Sequence, residues 1–282
     1  MEKPTLENLS GMRVYVTGTS RGIGAALAET ALQYGAKVVG TSHHSGSSIT
    51  HQNYEHIQSN AGDVEHMGEH VTNVIDVLGG LDVVVFGACD LHCTSPFDIS
   101  ETPEEYAKRL VESNAVAVNG PLVFMKHATE KLGIDTKIVY VFFGSVGEGV
   151  YGQFVPSKEQ PGMPSSLGAY MPQKAFCSMT AKTLQAELGL KSTMQNYDGA
   201  RLLLVQPQVI KTDLGIDIAR AFGMTQDNLA SLTPSGMVYE PSDAAQDILS
   251  RALEMYSKSP GADMGDVLVP RVALYDNVAL QK

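Results

Sequence analysis

Thr17-Gly18-Thr19-Ser20-Arg21-Gly22-Ile23-Gly24 is the stretch on which the reading of the fold turns. It follows a short β-like run, Arg13–Thr17, and opens a segment, Ile23–Tyr34, whose apolar residues recur at helical spacing. Each glycine has a mechanical use there. Gly18 allows a tight turn, Gly22 lets the backbone approach a pyrophosphate, and Gly24 lets the helix pack close to the sheet. The helix that follows presents free N–H groups and a partial positive charge to phosphates. A glycine-rich loop between a first strand and a first helix therefore reads as a nucleotide site, with the backbone around Ser20 and Ile23 included in it.

Outward from this turn, apolar β-like runs alternate with helical patterns. The runs are Lys37–Gly40, Leu81–Val85, Lys137–Phe143, Arg201–Val205 and Val267–Val269. Between them, Met67, Val71, Val74, Ile75 and Leu78 share one helical face. Ile248, Leu249, Ala252, Leu253 and Tyr256 share another, after Pro241 with Ser242 as the expected cap. Strands apolar throughout, alternating with helices, predict an α/β fold with a doubly wound parallel sheet covered by helices on both faces. Val150–Gly168 breaks the rhythm with Pro156, Pro161 and Pro164 and reads as a surface loop.

Composition narrows the function. The 282 residues are 43% apolar, enough for one large core. The net charge of -11 argues against a nucleic-acid partner. No apolar run is long enough to span a membrane. The polar start, MEKPTLENLSG, lacks the apolar stretch of a signal peptide. Three cysteines, Cys89, Cys93 and Cys177, form no zinc spacing and suit a reducing compartment, so a cytoplasmic location is expected. No metal is expected: Cys89, His92 and Cys93 read as pocket lining, and the histidines and serines of Ser42–Ser48 as a polar loop. Cys177 reads as a small buried residue.

Two further patterns carry chemistry. At the end of the second strand, Gly40-Thr41-Ser42-His43-His44 contains no acid, although a carboxylate there would hold the ribose hydroxyls of NAD(H). The hydroxyls of Thr41 and Ser42, the His43 imidazole and Arg21 can instead accommodate a 2′-phosphate, which favours NADP(H). Tyr170 and Lys174 lie four residues apart, on one helical face, if Pro172 falls in the first turn. A phenol is a poor acid–base at neutral pH, and a neighbouring ammonium makes it a workable proton donor. Ser145 follows the strand ending at Phe143, at the carboxyl edge of the sheet where such folds bind ligands, and its hydroxyl can bond a substrate oxygen. Phe143, Val146, Tyr151, Phe154 and Met163 suggest an apolar ligand.

Gly18-x-x-x-Gly22-x-Gly24, Ser145 and Tyr170-x-x-x-Lys174 together resemble the short-chain dehydrogenase/reductase family over nearly the whole chain. Thr17–Thr41 resembles its NADPH-using β-ketoacyl-carrier-protein and carbonyl reductases. The resemblance implies one Rossmann domain over 1–282, with an inserted loop at 150–168 and a substrate lid at about 213–235. It implies that Asp63 and Val64 hold the adenine and that Gly87 lines the cofactor cleft. Pro207 and Val209 would flank the nicotinamide, with Thr212 on its carboxamide. Asn114 is the preferred asparagine for the proton path, with Asn119 as the alternative. A homodimer or homotetramer pairing through Pro103–Leu132 and Ala169–Leu190 is also implied.

The chain departs from that pattern in three places. Phe86-Gly87-Ala88-Cys89 stands where the family has Asn-Asn-Ala-Gly, which puts the usual side-chain bracing of the sheet in doubt. Pro207-Gln208 replaces Pro-Gly, and 25 residues separate Ser145 from Tyr170, more than the family's usual interval. The expected activity is NADPH-dependent reduction of a ketone or aldehyde, or oxidation of the alcohol, by hydride transfer. The departures leave open a second reading, an NADP-binding scaffold or sensor whose redox role is lost or altered.

Overall fold

The computed structural model describes residues 5–43, 46–89, 100–145, 170–221, 225–231, 233, 235–262 and 267–269. Seven parallel strands form the central sheet: β1 (Arg13–Thr17), β2 (Lys37–Ser42), β3 (Tyr54–Gln58), β4 (Val83–Val85), β5 (Val139–Phe143), β6 (Arg201–Pro207) and β9 (Val267–Val269). Their order is β3-β2-β1-β4-β5-β6-β9. A separate pair joins β7 (Val209–Ile210) to β8 (Val238–Tyr239). The helices are α1 (Gly22–Gln33), α2 (Met67–Leu78), α3 (Pro103–Asn114), α4 (Gly120–Leu132), α5 (Tyr170–Gln195), α6 (Asp213–Ala221), α7 (Gln226–Ala230) and α8 (Pro241–Ser257). A π turn, Ala115–Asn119, joins α3 to α4. This is the doubly wound Rossmann arrangement that the alternating pattern predicts. The strand order reverses between β1 and β4, and ligands of such sheets bind at that point.

The two-residue period of the strands divides the core. Val14, Val16, Val38, Val83, Val85, Val139, Val141, Leu203 and Val205 face one way and pack with α1 and α8. Tyr15, Val39, Val84, Tyr140, Phe142, Leu202 and Leu204 face the other and pack with α2, α4 and α5. Away from the edge, neither face meets water, so strands such as β4 and β5 carry no polar alternation. Cys177 lies buried in this second layer.

Helix ends follow local chemistry. α2 stops at Gly79, whose φ of 77° is the left-handed cap and whose N–H reaches the Ile75 carbonyl at 2.8 Å. α3 starts with a reciprocal cap: Glu105 N donates to Thr102 Oγ1 (3.2 Å), and Thr102 N donates to Glu105 Oε2 (2.9 Å).

Four expectations need correction. Ser242 does not cap α8; Glu240 holds that position, because Pro241 with its fixed φ and missing N–H takes the first helical place. The expected 103–132 helix is interrupted by the π turn, and α5 runs on to Gln195. β3 is absent from the apolar runs of the sequence. It is an edge strand with two of its five residues exposed and the other three half-buried, so Tyr54-Glu55-His56-Ile57-Gln58 carries little apolar signal. Phe143 does not line a ligand pocket; its ring belongs to the core under α1 and α8.

An aromatic cluster lies where the family's asparagines would brace the sheet. Phe86 packs against Phe142 (5.1 Å between centroids) and Tyr140 (6.1 Å), and meets Phe124 edge-on at 5.8 Å. Phe124 stacks on Tyr15 at 4.8 Å. Its ring is fully enclosed, so Phe124→Ala should lower the unfolding free energy by about 3–5 kcal/mol, read from urea denaturation.

Candidate functional site

The turn after β1 is built by close approach. Gly18 has φ +82°, and a Cβ there would lie 3.0 Å from the Ala88 backbone, beside β4's end. A Cβ on Gly24 would strike the Gly18 carbonyl oxygen. Gly87 faces the Thr17 carbonyl at 2.8 Å by the same measure. The N–H groups of Gly18 and Thr19 both donate to the Thr41 carbonyl, at 2.7 and 2.9 Å. These bonds leave the amino end of α1, at Gly22, open toward the carboxyl edge of the sheet. Thr17 supplies a brace the sequence reading missed: Ala88 N donates to its hydroxyl at 2.9 Å. That bond ties the end of β1 to the segment after β4. Thr17 lies in the quoted motif, but nothing local says its hydroxyl points at β4.

The other wall is the segment after β6. Thr212 Cγ2 lies 3.4 Å from the position a Gly22 Cβ would take, so the glycine turn and Thr212 face each other. Thr212 Oγ1 accepts from Gly215 N at 3.0 Å and caps α6. Pro207 is half-buried, and Val209 is buried in its pairing with Val238. Gln208, the family departure, has a use: its Oε1 accepts from Ser235 N at 3.2 Å and ties that residue to the end of the sheet.

The residues at β2's end behave differently from expectation. Thr41 helps through its carbonyl; its hydroxyl is turned inward to Tyr15 Oη at 3.3 Å. Ser42 is buried with its hydroxyl 2.8 Å from His56 Nε2. His43 is exposed. Arg21 is 74% exposed and its guanidinium pairs with Asp213 at 2.9 Å, at the start of α6. Of these four side chains, Arg21 and His43 are exposed, while Thr41 and Ser42 are buried with their hydroxyls engaged. No carboxylate stands on β2's end, as the sequence reading holds.

At the adenine side expected from the resemblance, Val64 is 39% exposed and offers an apolar surface. Asp63 accepts from His66 N at 3.3 Å and lies 2.9 Å from His66 Nδ1. The hydrogen bond from His66 holds the Asp63 carboxyl below its usual range, and the carboxylate in turn raises the imidazole.

The third wall is the amino end of α5. Pro172 is its third residue, where a missing N–H costs no helical bond. Tyr170 and Lys174 are both buried, 6% and 7% exposed, and Lys174 Nζ lies 5.6 Å from the Tyr170 ring centroid. Nζ also donates to the Phe143 carbonyl at 3.3 Å. The pair is thus pinned to β5's last residue, two positions before the half-buried Ser145. Asn114 is half-buried at the junction of α3 and the π turn, whereas Asn119 is exposed. Neighbouring Ser113 takes a hydrogen bond from Gln173. The 150–168 loop, His92, Cys93, Val146, Tyr151, Phe154 and Met163 lie outside the described residues. Among the described residues, no three His, Cys, Asp or Glu side chains come together to hold a metal, and no helix is long and apolar enough to cross a membrane.

Comparison with known proteins agrees with this geometry. The family described as short chain dehydrogenase matches residues 12–221. The NADP-dependent (R)-specific alcohol dehydrogenase of Lentilactobacillus kefiri is 26% identical over 252 residues, covering 85% of this chain and 88% of that one. A 3-oxoacyl-acyl-carrier-protein reductase of Vibrio harveyi is 36% identical over 86 residues, 29% of this chain and 35% of that one. A short chain dehydrogenase from Burkholderia cenocepacia J2315, solved with NADP, superposes with a TM-score of 0.66 at 24% identity, covering 92% and 96% of the two chains.

The Asp63–His66 pair generates a test. The His66 imidazole should titrate above the ordinary histidine range by NMR, and Asp63→Asn should return it there. The pair's contribution to stability is complete between the ordinary carboxylate and histidine pKa values; it is lost as pH rises through the raised histidine value and as pH falls through the lowered Asp63 value.

Proposed function

The chain belongs to the short-chain dehydrogenase family, and from that premise we propose that it is an NADP(H)-dependent oxidoreductase that reduces a ketone or aldehyde, or oxidises the alcohol. The observation that carries this reading is the buried Tyr170–Lys174 pair fastened to the end of β5 beside Ser145. A solvated phenol and ammonium on an outer helix face would carry no such reading.

The described residues suit a dinucleotide. The glycine turn excludes side chains where a pyrophosphate must approach, and α1 presents its amino end there. Val64 offers the adenine an apolar face, and Asp63, held ionised, offers its amine an acceptor. Thr212 faces the turn where a nicotinamide carboxamide would lie. Arg21 and His43 are the exposed cationic and imidazole groups for a 2′-phosphate, and no carboxylate at β2's end repels it. The relative from Lentilactobacillus kefiri is named for NADP, which supports the same choice. When bound, this cofactor supplies the hydride.

The chain's own groups handle the oxygen and the proton. Ser145 Oγ donates to the carbonyl oxygen as negative charge builds on it. Tyr170 gives that oxygen its proton. The Lys174 ammonium beside the ring stabilises the phenolate left behind, because an adjacent cation favours the charged form. Asn114, at the start of the π turn, continues the proton path toward solvent. The segment from Asp213 through α7 covers the substrate. Exposed Val111 on α3 and Phe176 and Met179 on α5 give the outer face an apolar surface, which supports pairing of these helices in a homo-oligomer.

Tyr170→Phe should lower turnover at least about 100-fold on any ketone or aldehyde the enzyme accepts, with NADPH binding by fluorescence titration unchanged. Full activity in that variant refutes the role; tight NADPH binding without turnover on a broad carbonyl panel favours the scaffold reading. Arg21→Ala should raise KM for NADPH far more than KM for NADH, and equal effects count against a 2′-phosphate contact.

A further inference from the structure

We infer that Gln173 is a positioning residue that locks the amino end of α5, and with it the Tyr170–Lys174 pair, to the irregular turn after Asn114. The inference rests on the redox reading of that pair. Gln173 is buried between α5 and α3. Its Nε2 donates to the Ser113 carbonyl at 2.6 Å and lies 2.5 Å from the Ser113 hydroxyl.

The location of those bonds gives them their meaning. A π turn moves the helical ladder from the fourth to the fifth residue; here Gly120 N reaches the Ala115 carbonyl. Carbonyls at the start of such a turn need a donor from elsewhere, because a buried unpaired carbonyl costs about 1–3 kcal/mol. Gln173 supplies one to Ser113, immediately before Asn114. It sits one residue before Lys174, whose Nζ bonds the Phe143 carbonyl. Two neighbouring side chains therefore clamp the first turn of α5 from two sides, one to the end of β5 and one to the end of α3. Pro172 cannot contribute a backbone donor there, so side chains carry the positioning.

The amide does more than fill space. Among the described residues its Oε1 is buried without a hydrogen-bond partner, so the residue is retained for its donor side at the expense of its acceptor. An apolar residue of equal size would leave no such orphan. Among the described residues, Lys174 supplies the charge over the Tyr170 ring, and the acceptors that hold Lys174 and Gln173, the carbonyls of Phe143 and Ser113, are neutral. Because Lys174 Nζ is also held by the Phe143 carbonyl on β5, a small rotation of the first turn moves the phenol relative to the anchored ammonium.

The test reads the phenol directly and needs no substrate. Tyrosinate absorbance is titrated with saturating NADP⁺ in the wild type and in Tyr170→Phe, and the difference isolates one of the 11 tyrosines. A tyrosine ionising below the ordinary phenol range, lost in Tyr170→Phe, is expected. Gln173→Met, similar in volume but without donors, should raise that midpoint by about one pH unit while NADPH binds as in the wild type. An unmoved midpoint in a folded Gln173→Met overturns the inference and leaves the catalytic pair standing. If Gln173→Met does not fold, Gln173→Leu, which also lacks the donor, is read in its place: an upward shift supports the clamp and an unchanged midpoint overturns it. If the wild type shows no low-titrating tyrosine at all, the pair itself fails, and Gln173 has nothing to position.

Discussion

Backbone approaches backbone at the end of β1 more closely than any side chain permits, and the remainder of the molecule is arranged around that approach. Gly24 sits over the Gly18 carbonyl, and Gly18 and Gly87 bring the first turn against the end of β4. The hydrogen bonds from Gly18 and Thr19 to Thr41, and from Ala88 to Thr17, hold three strand ends in register around it. The cost of this crowding falls on residue choice, since only glycine fits. The gain is a helix amino end set at the point where the strand order reverses, the kind of place where an anionic ligand is best stabilised.

The reacting side of the cleft depends on a different kind of restraint. α5 is a long helix whose first turn must be located to a fraction of an ångström if a phenol and an ammonium are to cooperate. Packing against β5 and β6 places the helix axis, and Cys177 and Ala181 sit in that layer. Packing alone does not set rotation or height. The bonds of Lys174 to Phe143 and of Gln173 to Ser113 do so, each from buried donors to buried acceptors. The π turn is part of the same arrangement, because it presents the Ser113–Asn114 backbone toward α5.

Charge at the mouth of the cleft is distributed economically. Arg21 stands on the glycine turn and is balanced by Asp213 on α6, both in solvent. An exposed pair of this kind is worth about 0–1 kcal/mol, so it restrains Arg21 only weakly. Asp63 and His66 form a second exposed pair on the opposite side. Between them the end of β2 is neutral, with Thr41 and Ser42 facing inward.

Much of this was legible in the linear chain for physical reasons. Glycine spacing reports backbone geometry directly, so the turn at Gly18–Gly24 could be read without a fold. Apolar runs such as Val139–Phe143 report burial on both faces, and Tyr170 and Lys174 share a face by helical period alone. Tertiary structure decided what depends on partners far apart in the chain. Thr17 as a brace needs Ala88, 71 residues away; Gln173 as a clamp needs Ser113, 60 away; and the inward turn of Thr41 needs Tyr15. A hydroxyl or an amide carries no mark in sequence of which neighbour it will meet. The edge strand β3 escaped notice for the converse reason: its side chains answer to solvent as much as to the core, so their order records little of the pairing that its backbone makes.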